Sequence, residues 1–109
     1  MVEILTTSHK AIIEKDKESS TVTVDFTNAL AKGNTANIRF QVNNGTGDDK
    51  IAFSVSCGGC TKVRHIYKGN RVIGGEIDFT PNSSGIHRKA VYIYKNRKLI
   101  ERILLKAQI

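Results

Sequence analysis

The chain has no tryptophan, one proline, two cysteines and one methionine among its 109 residues. It also lacks any apolar run near the roughly 20 residues that a membrane-spanning helix requires, and we expect no membrane partner. With 39% hydrophobic and 25% charged residues, the composition excludes a disordered, collagen-like or transmembrane chain. At this length a chain can bury a two-layer core without disulfide or metal staples. We therefore expect a single domain over residues 1–109.

Acidic residues are scarce in the second half of the chain. Residues 1–61 carry six Lys or Arg and seven Asp or Glu, for a net charge of −1, whereas residues 62–109 carry eleven and three, for +8. A field of that sign attracts nucleic acid, an anionic membrane surface or an acidic protein face. It is also typical of a solvated surface that keeps a small protein in solution. The charge distribution therefore does not by itself choose a partner.

The N-terminal residues show no secretory signal, because they contain neither a basic segment nor a long apolar one. We therefore expect the chain to be made in the cytosol, where Cys57 and Cys60 stay mostly reduced. Val2, Ile4 and Leu5 are apolar but show little periodicity. Such a terminus often becomes ordered only against a partner, so residues 1–10 are expected to form an N-terminal arm.

Apolar and polar residues alternate along most of the chain, which is the pattern of half-buried strands. About seven short strands separated by turns are typical of a sandwich or barrel. The last segment also fits helical spacing, but a short turn after an extended segment favours a hairpin. We predict an all-β, immunoglobulin-like antiparallel β-sandwich. The strands are expected within residues 21–27, 37–42, 51–57, 63–67, 76–79, 89–94 and 103–109.

Three polar segments predict turns between these strands. Residues 43–50 are rich in side chains that tolerate positive φ, and they predict the long loop of a hairpin joining residues 37–42 to residues 51–57. Lys68-Gly69-Asn70 and Lys95-Asn96-Arg97-Lys98 predict two shorter turns.

Two strings carry a family resemblance: Val55-Ser56-Cys57-Gly58-Gly59-Cys60-Thr61, and Gly74-Gly75-Glu76-Ile77-Asp78-Phe79-Thr80-Pro81 with Gly85 after it. They resemble a bacterial immunoglobulin-like family of unknown function, which has a Cys-Gly-Cys-Thr signature and a Pro-Gly turn before a Val-x-Phe-x-Pro strand. Its sandwich is similar to major-sperm-protein and ASH domains. The resemblance covers residues 20–109. Here two glycines separate the cysteines instead of one, and Ile73-Gly74 replaces Pro-Gly.

Members of that family commonly carry an export or lipoprotein signal, which we do not find here. A sandwich of this kind without a signal resembles the small immunoglobulin-like proteins that tailed bacteriophages attach to their capsids and tails. The resemblance therefore implies a virion protein made in the host cytoplasm, and it implies no catalytic residue.

Cys57 and Cys60 form a C-x-x-C pair, whose thiolates can bind a metal or close a redox disulfide. A structural zinc site needs two further ligands, for which His65 is a weak candidate. We expect instead that Cys57 continues a buried apolar face and that Cys60 is half exposed beside a glycine turn. No phosphate loop or catalytic set of side chains is recognisable, so we predict no enzyme, cofactor or metal.

We expect a non-catalytic protein-binding module in an oligomeric assembly, namely an accessory or decoration protein of a bacteriophage capsid or tail. Docking would use loops, an edge strand or basic side chains facing an acidic surface. Two alternatives stay open: sequence-independent nucleic-acid binding by the basic second half, and thiol redox or zinc binding through Cys57 and Cys60. The candidate contact residues are Val2, Ile4, Leu5, Asn43, Asn44, Asp48, Asp49, Arg88, Tyr94, Arg97 and Lys98.

Overall fold

The computed structural model describes residues 2–43 and 49–109 of the chain. Within these ranges the chain forms nine β-strands and no helix, and so no apolar helix that could cross a membrane. The strands are β1 (Val2–Thr7), β2 (Ile12–Asp16), β3 (Thr21–Asp25), β4 (Ala36–Val42), β5 (Ile51–Val55), β6 (Thr61–Lys68), β7 (Arg71–Phe79), β8 (Ile86–Lys95) and β9 (Lys98–Gln108).

The strands form two facing sheets, a four-stranded one in the order β1-β4-β7-β6 and a five-stranded one in the order β2-β3-β9-β8-β5. A constant-type immunoglobulin sandwich has the same strand orders, in its four-stranded sheet and in its three-stranded sheet. The second match is to β9-β8-β5 of the five-stranded sheet. The predicted all-β, immunoglobulin-like sandwich is therefore confirmed. One pair departs from the antiparallel prediction, because β3 runs parallel to β9.

Two strands, β1 and β2, were not predicted from the sequence. In β1 the register shifts between Ile4 and Thr6, so that Leu5 has no partner residue and the apolar alternation is interrupted. All five residues of β2 are exposed, so no alternation could develop there. The structure also differs from the expected N-terminal arm, since every residue of β1 except Leu5 pairs with β4, and Val2 is only 3% exposed.

The core lies between the two sheets and is rich in aromatic and branched side chains. Phe40 and Phe79 reach it from the four-stranded sheet, and Ile93 and Leu105 from the other. Each such side chain contributes about 1.5–3 kcal/mol when it is fully buried. The alternating burial along β9 shows that the last segment is a strand, as predicted, and not a helix.

The predicted hairpin between residues 37–42 and 51–57 is wrong. β4 pairs with β1 and β7, whereas β5 pairs with β8 in the other sheet. Both strands carry an apolar face, and these faces meet across the core when the strands belong to opposite sheets, as Phe40 and Phe53 do. β4 and β5 are therefore consecutive strands of opposite sheets.

Strand pairing places several turns at one end of the sandwich. Gln41 lies opposite Gly74, so the end of β4 and the β6–β7 turn are neighbours. Ile51 lies opposite Lys95, which brings the β8–β9 turn to the start of β5. We call this region the hairpin end, and define it as residues 43, 49, 50, 68–71 and 95–98.

Candidate binding surface at the hairpin end

The β8–β9 turn holds an arginine in an unusual backbone conformation. Asn96 has φ 52° and Arg97 has φ 69°, and positive φ at both central residues defines the type I′ turn of two-residue hairpins. Asn adopts this conformation readily, but the second position favours Gly, and a left-handed residue with a side chain costs about 1–2 kcal/mol. Arg97 is exposed. Arg97 therefore occupies a position where the backbone conformation favours glycine.

Asn96 also ties this turn to the start of β5. Its side-chain oxygen accepts the Lys50 N–H at 2.9 Å, and its own N–H donates to the Lys50 carbonyl at 2.8 Å. Its amide nitrogen donates to Asp49 at 2.9 Å, and Lys95 Nζ lies 3.1 Å from the other oxygen of that carboxylate. These contacts bring Asp49 and Lys50, from the predicted contact segment 43–50, against the turn of the predicted segment 94–98.

The hairpin end is strongly cationic. Among its described residues one acid, Asp49, is present, and that carboxylate is already held by Lys95 and Asn96. Arg97 and Lys98 are exposed and form no ion pair with the described part of the chain. An acidic surface would therefore meet free positive charge here. The cationic residues of the hairpin end are Lys50, Lys68, Arg71, Lys95, Arg97 and Lys98.

Other predicted contact residues occupy different positions. Asn43 is exposed where β4 ends, and Tyr94 is half-buried on β8 just before the turn. Leu5 protrudes from the β1 bulge and is 56% exposed, and Ile4 is half-buried. Arg88 lies near the opposite end, across from Lys106. Asn44 and Asp48 fall outside the described residues.

Val2 was predicted to contact a partner, but its side chain is buried in the core of its own chain. Its N–H also donates to the carboxylate of Glu101, a buried acid of β9 that sequence reasoning missed, and burial raises the pKa of Glu101. A cleft of about 270 Å³ lies beside this pair, between β1 and the β2–β3 turn. Glu101 occupies an inward position of an alternating strand, a position that the strand pattern could have identified.

Cys60 is half-exposed, as expected, but the expectations of a buried Cys57 and of two free thiols are wrong. The structure joins Cys57 and Cys60 by a disulfide, and both residues are half-buried. The chain turns back between β5 and β6, with the Thr61 N–H donating to the Cys57 carbonyl at 3.0 Å. The Cα atoms are therefore 5.7 Å apart, within the usual range for a disulfide.

His65 does not join the cysteines. Its ring stacks on Phe53 at 4.6 Å and lies 6.0 Å from the ring of Tyr67, also stacked. Across residues 2–43 and 49–109, no three His, Cys, Asp or Glu side chains are grouped to hold a metal ion. Among the weak zinc candidates, His65 therefore lies in a ring stack of its own, whereas Cys57 and Cys60 are joined to each other.

Besides Lys95, a further basic residue of the second half is already paired with acids. Arg64 on β6 donates to Glu76 and Asp78 of β7, at 2.6 Å in each case. Glu76 also accepts from Arg39 at 2.9 Å, and these charged hydrogen bonds lower the pKa of Glu76 to about 2. This network braces the outer face of the four-stranded sheet, so Arg64 is not a free cation for a partner.

The fold and the hairpin end are thus defined by strand pairing and by contacts within the chain. The family resemblance carried by the cysteine and glycine strings stays a prediction. Comparison with family models, curated proteins and solved structures gives no match to this chain.

Proposed function

We propose that the protein is a non-catalytic binding module whose hairpin end docks on an acidic surface of another protein. The observation that carries the proposal is Arg97, an exposed arginine in the left-handed conformation at the tip of a type I′ turn. Backbone strain of this kind is often found at functional positions. Arginine is also enriched among the residues that dominate protein interfaces.

The second support is rigidity. Asn96 links the turn to Lys50 and Asp49 through three hydrogen bonds, so Arg97 and Lys98 project from a held backbone. A preorganised surface loses less conformational entropy when it binds. Electrostatic complementarity would then increase the association rate and select acidic partners.

The larger assembly is part of the same proposal. The resemblance to small phage immunoglobulin-like proteins supports a bacteriophage capsid or tail as the docking site, with the chain as an accessory subunit. Docking through one end of a sandwich leaves both outer sheet faces free, an arrangement that suits a protein decorating a larger particle.

Site-specific photocrosslinking tests the docking surface. A photoreactive residue would replace Lys98 in one variant and Ile86 in a matched control, since Ile86 is 71% exposed at the opposite end of β8. We expect the Lys98 variant to crosslink to an Asp- and Glu-rich segment of one protein, and the Ile86 variant not to do so. Equal crosslinking from both positions, or crosslinks to nucleic acid alone, would overturn the proposal.

A second candidate function is sequence-independent nucleic-acid binding, favoured by the outer face of the five-stranded sheet. Tyr92 lies opposite Arg102, and Arg88 lies opposite Lys106, on the same face of β8 and β9. Cations with interleaved tyrosines suit phosphates and stacked bases. This function predicts binding to any phosphate polymer, with an affinity that falls steeply as salt increases. Charge reversal at Arg88 and Arg102 would then weaken that binding.

A further inference from the structure

A row of rings leads from the core to the free edge of β6. Phe40 packs edge-on against Phe53 at 5.2 Å, Phe53 stacks with His65, and His65 stacks with Tyr67. The first ring is fully buried, whereas Tyr67 is 60% exposed. The Tyr67 hydroxyl forms no hydrogen bond with residues 2–43 or 49–109. The row therefore ends in a supported aromatic face that the fold does not cover.

Lys68, the residue after Tyr67, forms a like-charge cross-strand pair. Lys68 lies directly opposite Arg71 across the β6–β7 turn, and like charges in such a cross-strand pair repel. Neither cation has an acidic partner in the described part of the chain. The turn between them has Gly69 at φ 64°, and a side chain at Gly69 would meet no heavy atom within 4 Å.

Two other like-charge pairs in the sandwich serve as internal comparisons. Lys95 lies opposite Lys98, and Lys95 is paired with Asp49 at 3.1 Å. Arg88 lies opposite Lys106. The pKa of Asp25 is lowered mainly by hydrogen bonds from Thr27, and the positive charge of Lys106 lowers it further. Both of these pairs thus have an acid within electrostatic reach. Lys68–Arg71 differs from them in having none among the described residues.

We propose that the β6–β7 hairpin binds a flat aromatic base that carries a phosphate, by stacking the base on Tyr67 and placing the phosphate near Lys68 and Arg71. Lys68 and Arg71 also belong to the hairpin end, but this site goes beyond the proposed docking function, because it adds Tyr67 and needs no partner protein. The phosphate would supply the negative charge that the cation pair lacks, and Arg and Lys are the usual partners of phosphate oxygens.

The hairpin geometry determines how such a ligand would lie. Consecutive strand residues point to opposite faces, so Tyr67 and Lys68 flank the edge of β6, which is the outermost strand of its sheet. A ligand that uses both would cross this edge beside Gly69, where no side chain stands in the way. A register shift between Ile66 and Tyr67 marks the same point, and such bulges often re-aim side chains next to binding sites.

A free nucleotide and a single-stranded nucleic acid share this chemistry, so the test includes both. Binding of adenosine monophosphate and of an oligothymidylate of about eight nucleotides would be measured by titration calorimetry, since single-strand sites span roughly 4–16 nucleotides per domain. We expect Tyr67→Leu to weaken binding about tenfold and Tyr67→Phe to preserve it, because stacking on one base contributes about that factor. Thermal unfolding would check that each variant folds.

The charged residues are tested with a matched control. Lys68→Gln with Arg71→Gln should weaken binding of both probes and, for the oligothymidylate, reduce the slope of log affinity against log salt by about 0.7, since both cations contact one phosphate and each neutralised phosphate of a single strand contributes roughly that amount. Lys17→Gln with Lys32→Gln makes the same change in net charge at two exposed positions and should leave binding intact.

Binding of both probes supports a free-nucleotide site, and binding of the oligonucleotide alone supports a strand site. Absence of binding, or equal losses in both double variants, would overturn the proposal.

Discussion

The side-chain oxygen of Asn96 accepts a hydrogen bond from the backbone N–H of Lys50 at 2.9 Å. This contact joins the β8–β9 turn to the residue before β5, and so connects two of the three charged segments of the hairpin end. Asn96 also supports the turn through its left-handed backbone, with φ 52°. The side chain and the backbone of Asn96 therefore both stabilise the hairpin end.

Replacement of Asn96 should destabilise the whole fold. Asn96→Ala removes the hydrogen bonds to Lys50 and Asp49 and places a less tolerant residue in the left-handed region, for a loss of about 2 kcal/mol in the free energy of unfolding. Asn96→Gly tolerates the backbone conformation, so its loss should be about half as large. Urea unfolding measures both. Equal stability of the wild type and the Ala variant would contradict the role of this contact.

Arg97→Gly should separate stability from binding. Glycine accepts φ 69° without strain, and after allowance for its greater freedom in the unfolded chain we expect a gain of about 0.5–1 kcal/mol. The same change removes the exposed cation and should weaken docking. Arg97→Gln is the matched control, because it removes the charge but keeps the strain. A Gly variant that is less stable than the wild type would contradict the strain argument.

The Glu76 network predicts a specific acid response. Hydrogen bonds from Arg64 and Arg39 lower the pKa of Glu76 from 4.5 to about 2. A lowered carboxylate pKa stabilises the folded state above the unfolded pKa, and this contribution is lost as the pH falls from 4.5 towards 2. Glu76→Gln should thus reduce stability at neutral pH and flatten the pH dependence in that window. Thermal unfolding across a pH series measures the change.

The control for this experiment is Glu18→Gln. Glu18 is exposed, and its side chain forms no ion pair with the rest of the described chain. This variant should retain the acid sensitivity of the wild type. If the Glu76 variant lost stability in parallel with the wild type from pH 4.5 to 2, the network would not be the source of the response.

The disulfide gives a prediction that bears on the thiol alternative. Cys57 and Cys60 are three positions apart, and closing so short a loop stabilises a fold by about 2 kcal/mol in the chain-entropy account. Reductant should lower the wild-type free energy of unfolding by about that amount. A Cys57→Ser, Cys60→Ser variant should be insensitive to reductant. A zinc protein would instead lose stability with a chelator.

Sequence reasoning succeeded where burial alternates with the strand period. The pattern through Val22 and Val24 of β3, and through Ile103 and Leu105 of β9, predicted both strands because every second side chain faces the core. It missed β2, because all five of its residues are exposed and the hydrophobic signal is absent. It also paired residues 37–42 with 51–57, since alternation locates a strand but does not choose its partner.

The candidate surface was only partly predictable for the same reason. Turn composition predicted that Arg97 and Lys98 lie in an exposed turn, as they do, but the strain at Arg97 depends on a dihedral angle that no composition shows. The lack of an acidic partner for Lys68–Arg71 depends on cross-strand register and on which acids lie nearby. Val2 was predicted to contact a partner, whereas pairing with β4 buries it.

The most direct test of the docking proposal is density-gradient sedimentation of native source material, with mass spectrometry to locate the 12.0 kDa chain. We predict that the wild type travels with a large particle at a fixed copy number, also after nuclease treatment. Arg97→Glu with Lys98→Glu should move it to the top of the gradient, whereas Arg88→Glu with Lys89→Glu at the opposite end should not. A wild-type chain that sediments as a free monomer, or a charge-reversed hairpin end that stays with the particle, would contradict the account.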